Sequence, residues 1–271
     1  MRTLSALALI GLVMAAGCGW NKAIENEAPA PAQEVAGMPS SPFEGVVGWL
    51  GFTVVPRDAR VHPWTPDHPN AKVVIFNPQG WDELSEGTVF TGVSSQGLLK
   101  LKYSELSEIP FGCDDLPTLM AAFQGPYDLA EELVWIVPGE TSALSYAPIQ
   151  AGPGNADRRE WRAGEATVLA TVTGERKGKV VITMEDRELW SHDFEQVLME
   201  GASPDDVTFN LSEDDTISLP VPQALVLPGP KQPPLLIMKT QGFEGATFEI
   251  LSLGHERATS VGSVYVYMCA Y

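Results

Sequence analysis

Few of the residues that usually build catalytic or metal sites occur in this chain. Four histidines and three cysteines are present among 271 residues, and neither a His-Glu-x-x-His zinc helix nor a Gly-x-Ser-x-Gly nucleophile turn occurs. The segment 174–179 is one residue short of a phosphate-binding loop, and Val180 follows it where that loop needs Ser or Thr. We therefore predict no catalytic residues, no metal ligands and no cofactor, and the sequence favours a protein that is not an enzyme.

Basic residues are also scarce. The chain has 17 Lys and Arg against 35 Asp and Glu, a formal net charge of −18. Such a chain repels phosphate backbones, so we predict no nucleic-acid partner. Electrostatic attraction to anionic lipid headgroups is not expected for such a chain either. No apolar run after residue 18 reaches the roughly 18–20 residues of a membrane span, since the best candidate, Val46 to Val55, is shorter and contains two glycines.

The first 18 residues form the most informative segment. Arg2 gives a positive start, residues 4–14 are apolar or small without charge, and Ala15, Ala16, Gly17 and Cys18 follow. This order is that of a secretory signal with a small-residue cleavage site. The last four residues resemble the lipobox of bacterial lipoproteins, with Ala15 at the position that Leu usually occupies. The alternative is an ordinary secretory signal that happens to contain a cysteine.

The resemblance to bacterial lipoproteins implies a lipid anchor on Cys18. In that family the Cys thiol receives a diacylglycerol, the signal is cut just before it, and the new amine is usually acylated. Residues 1–17 would then be the signal peptide, and the acyl chains would supply the two signals that stable anchoring needs. Because Gly19 and not Asp follows the cysteine, the resemblance favours the outer membrane of the cell envelope.

Residues 18–44 are predicted to be a flexible tether that carries the lipidated Cys18. They are rich in Ala, Pro, Glu and Ser and show little periodic apolar content. Such a segment cannot bury enough surface to offset the entropy lost on ordering. We therefore expect a solvated spacer between the membrane and the folded part.

From residue 45 onward the sequence predicts an all-β protein. Short apolar runs such as Lys72–Phe76 and Leu133–Val137 end at Pro and Gly turns, and many short strands at regular spacing are typical of β-sandwiches and barrels. The segment 151–160, with two Gly, one Pro and a charge cluster, is predicted to link two β-sandwich-like modules at 45–150 and 161–271. The C-terminal run from Val264 to Tyr271 is among the most strand-like.

One segment, 115–132, is ambiguous. Asp115 before Leu116 and Pro117 could cap a short helix that ends at Gly125. The run 119–123 could equally be a strand, because apolar periodicity does not separate the two structures at this length.

Two cysteines remain if Cys18 is lipidated. Export would place Cys113 and Cys269 in an oxidising compartment, where a pair of thiols can be bridged. A bridge would close a loop of about 150 residues and stabilise the fold by up to about 4–5 kcal/mol in the chain-entropy model. The alternative is two separate buried thiols that pack as small hydrophobic side chains.

The stretch 62–69 is the most distinctive local pattern, with His62, Trp64, Asp67 and His68 among prolines. Two histidines and a carboxylate could bind a transition metal, but their spacing matches no ligand pattern. Trp64 could be an exposed stacking platform for a sugar or peptide, or its ring could pack onto the sheet. We predict that the ring packs, and we keep Trp64 as the candidate binding residue.

Acidic pairs are the remaining candidates for chemistry. They lie at 114–115, 205–206 and 213–215, but no calcium-binding loop of the Asp-x-Asp-x-Asp-Gly type surrounds them.

The sequence as a whole favours a membrane-anchored, extracytoplasmic protein with a binding or structural role, whose partner is an envelope protein or glycan. The alternative is a hydrolase of envelope polymer that uses Asp114 or Asp115, which predicts a cleft with two opposed carboxylates and a raised pKa on one.

Overall fold

The computed structural model describes residues 37–57, 60–62, 72–111, 116–124, 133–195, 211, 219–229, 232–242 and 245–267. Within these ranges the chain forms strands and turns and no helix, so the all-β prediction is confirmed. The ambiguous segment is a strand over Leu116–Phe123. The helix alternative is therefore wrong for those residues, and 125–132 lie outside the described part.

The described residues form seventeen strands. In chain order they are β1 (Trp49–Arg57), β2 (Arg60–His62), β3 (Lys72–Phe76), β4 (Val89–Ser94), β5 (Gly97–Phe111), β6 (Leu116–Phe123), β7 (Leu133–Pro138), β8 (Ser145–Ala147), β9 (Ile149–Gly154), β10 (Arg158–Ala163), β11 (Ala166–Gly174), β12 (Lys177–Met184), β13 (Arg187–Glu195), β14 (Val221–Leu227), β15 (Leu235–Gln241), β16 (Gly245–Leu253) and β17 (Ala258–Tyr267).

The first seven strands form a sheet that closes on itself, here called the closed sheet. Its order is β2-β1-β3-β6-β5-β4-β7, and β1 also pairs with β7, so six strands complete a ring. Alternation along β3 sends Val73 and Ile75 into the ring and Val74 and Phe76 to its outer surface. The ring interior, here called the inner core, contains Trp49, Val73, Ile75, Trp81, Phe90, Leu101, Tyr103, Ala121, Phe123, Val134 and Ile136.

The middle sheet, of order β17-β16-β15-β14-β8, contributes side chains to two cores, one on each face. On β15, Leu235 and Ile237 join a cluster with the outer surface of the closed sheet, here called core A. Leu236 and Met238 point the other way into core B, which the middle sheet shares with the third sheet. Burial on both faces is the reason that the first four residues of β15, Leu235 to Met238, are all apolar and do not alternate with polar residues.

The third sheet, here called the outer sheet, has the order β13-β12-β11-β10-β9. It covers core B with inward side chains such as Val168, Val180 and Ile182. The predicted linker 151–160 forms the end of β9, a turn and the start of β10. The carboxamide oxygen of Asn155 holds that turn, since it accepts the backbone N–H groups of Asp157 at 3.0 Å and Arg158 at 2.8 Å.

The segment before β1 also packs onto the fold. Phe43, which the sequence places in the tether, is 3% exposed in core A. The backbone N–H of Glu44 donates to the carbonyl of Val261 on β17 at 2.8 Å. Strand β8, from the first predicted module, pairs with β14 from the second. Core A therefore draws its side chains from both predicted modules.

Candidate functional site

The site residues predicted from sequence lie outside the described residues. This holds for the lipidation residue, the disulfide pair, the candidate binding tryptophan and the acidic pair of the hydrolase alternative, which are Cys18, Cys113, Cys269, Trp64, Asp114 and Asp115. His62 is described only as the end of β2. These assignments stay predictions. Among the residues that are described, no three His, Cys, Asp or Glu side chains gather as a metal site, and no helix could span a bilayer.

A groove of about 430 Å³ opens at the surface beside the β4–β5 hairpin. The groove is open to solvent over most of its extent, so it is a shallow surface site and not an enclosed pocket. One wall comes from the hairpin and the other from the segment that follows β7. The groove is lined by Thr91, Leu98, Leu99, Lys100, Glu140, Thr141 and Ser142.

Thr91 fixes the two walls of the groove to each other. Its side chain is 6% exposed, and its hydroxyl donates to the carbonyl oxygen of Gly139 at 2.7 Å. The Thr91 hydroxyl oxygen in turn accepts the backbone N–H of Thr141 at 3.0 Å. Gly139 has a φ of +72°, a conformation that glycine adopts without steric cost. The buried Thr91 hydroxyl, which donates one hydrogen bond and accepts another, therefore links the turn after β7 to β4.

Lys100 and Glu140 form an ion pair across the groove. Lys100 is paired with Thr91 in the β4–β5 ladder, and its ammonium donates a hydrogen bond to the Glu140 carboxylate. This hydrogen bond, together with the attraction of the Lys100 charge, lowers the pKa of Glu140 below its usual range. Both side chains are largely exposed, at 61% and 67%, so water screens the pair and its stabilising effect is small.

Leu98 gives the groove an apolar side. It is 48% exposed and lies opposite Val93 in the β4–β5 ladder, so the two side chains share the outer surface of the closed sheet. Val93 is buried in core A. The groove therefore begins at the rim of core A, with Leu98 uncovered at one end and the ion pair at the other.

This arrangement is suited to binding. The lining offers two leucines, three hydroxyl groups and one pair of opposite charges, but only one carboxylate and neither His nor Cys. A general acid needs a carboxyl whose pKa is raised, whereas the pKa of Glu140 is lowered. The groove is therefore not the two-carboxylate cleft that the hydrolase alternative predicts.

Sequence reasoning missed the groove because its two charged residues lie forty positions apart. One signal was available in the hairpin. Leu98 and Leu99 are adjacent in a strand, and neighbouring side chains point to opposite faces, so one leucine must lie on each face of the sheet. Which of the two leucine side chains remains exposed to solvent depends on the segments that pack against each face of the sheet.

No family model, no curated protein and no solved structure matches the chain.

Proposed function

We propose that the protein is a bacterial lipoprotein, anchored at the cell envelope through Cys18, with an extracytoplasmic binding or structural role. The lipobox-like end of the first 18 residues supports the anchor. The amphipathic groove supports the binding role, and the ionised pair of Lys100 and Glu140 beside the exposed Leu98 is the observation that carries it.

The groove suits an envelope protein segment or glycan that presents both apolar and polar groups. An apolar group would cover Leu98 and remove its surface from water. Lys100 and Glu140 would each exchange their present partner for a ligand group of opposite charge, or for hydroxyl groups. Because the pair is exposed and weak, opening it would cost little of the binding free energy.

The anchor is tested by the intact mass of the full chain extracted in detergent. We expect a mass that equals a chain starting at Cys18 plus acyl chains, and we expect a Cys18→Ser variant to carry no lipid. An unlipidated chain that starts at another residue would overturn the anchor and the outer-membrane assignment. Alkylation with and without reduction tests the cysteine pair, since two adducts that form only after reduction would show a bridge between Cys113 and Cys269.

The groove is tested by co-sedimentation of the detergent-extracted full chain with purified sacculi, and separately by pull-down of detergent-solubilised envelope proteins, because intact membranes would take up the acyl chains of every variant. Lys100→Glu reverses the charge at the groove, and Lys102→Glu makes the same change two residues away on the same exposed face of β5. We expect Lys100→Glu to lower binding by about tenfold or more, which corresponds to about 1.4 kcal/mol, and Lys102→Glu to leave it unchanged. Equal binding by both variants would overturn the role of the groove.

A further inference from the structure

Strand β17 forms one end of the middle sheet and, among the described strands, pairs only with β16. Its ten residues, from Ala258 to Tyr267, include no charged residue and no proline. An unpaired strand edge displays backbone N–H and C=O groups that can pair with another chain. Folded proteins usually protect such edges with charge, proline, bulges or short length.

The other three ends of the two open sheets carry these protections. β13 contains several charged residues, among them Arg187, Glu188 and Asp193. β9 contains Pro153, and its register with β10 is shifted. β8 is three residues long. The ten uncharged residues of β17 therefore stand apart from the other edges that the structure describes.

The first half of β17 is covered by the chain itself. The backbone N–H of Glu44 donates a hydrogen bond to the carbonyl of Val261. The ring of Phe43 lies so close to Gly262 that a Cβ at position 262 would be 2.9 Å from a ring carbon. The β16–β17 register also shifts at this point. Among the described residues, only β16 is paired through backbone hydrogen bonds with the following residues 263–266, here called the β17 edge. Within it Tyr265 is 53% exposed.

We propose that the β17 edge is a self-association surface, which pairs antiparallel with the same edge of a second copy of this chain around a two-fold axis. Antiparallel pairing places each residue of the edge opposite another residue of the same edge, so one patch serves both copies. Because the edge is uncharged, no like charges meet in the ladder. Valine and tyrosine pairs across neighbouring strands are stabilising, and the two middle sheets would become one continuous sheet.

The charge of the whole chain sets the salt dependence of this pairing. Two copies of net charge −18 repel each other, while the pairing strands contribute no attractive charge pair. Salt shortens the range of that repulsion to about 8 Å at physiological ionic strength. Self-association through the β17 edge must therefore strengthen as salt is added, whereas association through oppositely charged patches would weaken.

The test is sedimentation velocity of the full chain in excess detergent micelles, over a concentration series at low and high salt. Tyr265→Lys places a charge on the edge, and Ser263→Lys does so from a second position. Leu98→Lys is the matched control, because Leu98 is the other large exposed hydrophobic residue in the described part of the chain and lies on another sheet. A denaturation curve for each variant shows that it is folded.

We expect the wild type to dimerise more strongly at high salt, and the two β17 variants to raise the dimer dissociation constant by about tenfold or more. Leu98→Lys should leave that constant unchanged. A wild type that stays monomeric at both salt concentrations would overturn the proposal. So would an equal effect of Leu98→Lys and Tyr265→Lys. Loss of groove binding by Lys100→Glu is measured separately, so either proposal can fail while the other holds.

Discussion

The ring of Phe43 stacks on the indole of Trp135, with 5.3 Å between the ring centroids and 30° between the ring planes. Phe43 precedes the first strand, and Trp135 lies on β7 of the closed sheet. This contact therefore attaches the segment before β1 to core A. Gly48 leaves the room that the indole needs, because a Cβ at this position would lie 2.7 Å from the Trp135 ring.

Removal of the Phe43 ring should destabilise the whole fold. Phe43→Ala leaves a cavity in core A, and a fully buried Phe→Ala change costs about 3–5 kcal/mol. The free energy of unfolding from a denaturant titration measures this loss. Glu44→Ala is the control, because the Glu44 side chain is exposed and its hydrogen bond to Val261 uses the backbone. Equal stability of the two variants would show that Phe43 is not a core residue.

Gly92 is predicted to be a packing requirement of the inner core. A Cβ at this position would lie 2.7 Å from a methyl group of Val134 and 2.9 Å from a methyl group of Leu101. Gly92→Ala should therefore cost about 1–3 kcal/mol through overpacking. Gly174→Ala is the matched control, because its Cβ would meet nothing closer than 3.7 Å. The prediction fails if thermal or denaturant unfolding shows no difference between the two variants.

Trp81 is fully buried and stacks on Phe90, with 5.3 Å between centroids and 14° between planes. Its indole N–H has no hydrogen-bond partner among the described residues, and such a group costs about 1–3 kcal/mol. Trp81→Phe removes the unpaired N–H, and this gain offsets the cost of the smaller ring. We therefore expect its free energy of unfolding to lie within about 1 kcal/mol of the wild-type value. Trp81→Ala should lose about 3–5 kcal/mol.

The control for Trp81 is Trp49→Phe in the same aromatic cluster, since Trp49 is not among the buried groups without a partner. We expect Trp49→Phe to cost more than Trp81→Phe in the same denaturant titration. A Trp81→Phe variant that is as unstable as Trp81→Ala would contradict the assignment of an unpaired indole N–H.

The Glu140 carboxyl should respond to the loss of Lys100. Its pKa is lowered by the hydrogen bond from Lys100, so the stabilisation by this pair is present above the ordinary Glu pKa and disappears as the pH falls through the lowered value. In Lys100→Ala the pKa of Glu140 should rise toward its ordinary value. An NMR titration of the Glu140 carboxyl measures the change, and Lys102→Ala should leave it as in wild type.

The sequence by itself determined the fold class and most of the strands. Apolar runs with Pro and Gly at their ends predicted strands at Lys72–Phe76 and Leu133–Val137, which β3 and β7 confirm, and the predicted C-terminal strand is confirmed over 264–267 within β17. These features depend on neighbouring residues, because strand propensity and turn chemistry act over a few positions. The lipobox was likewise read from contiguous residues, and the lipid anchor stays a prediction.

Only the tertiary structure decided how the strands assemble. The closure of the first sheet depends on the pairing of Trp49 with Ile136, and the groove depends on the meeting of Lys100 with Glu140. The burial of Phe43, in a segment whose composition predicts a tether, depends on a space beside Trp135. Each of these contacts joins residues far apart in sequence, so it is selected by the packing of whole sheets and leaves no local pattern in the chain.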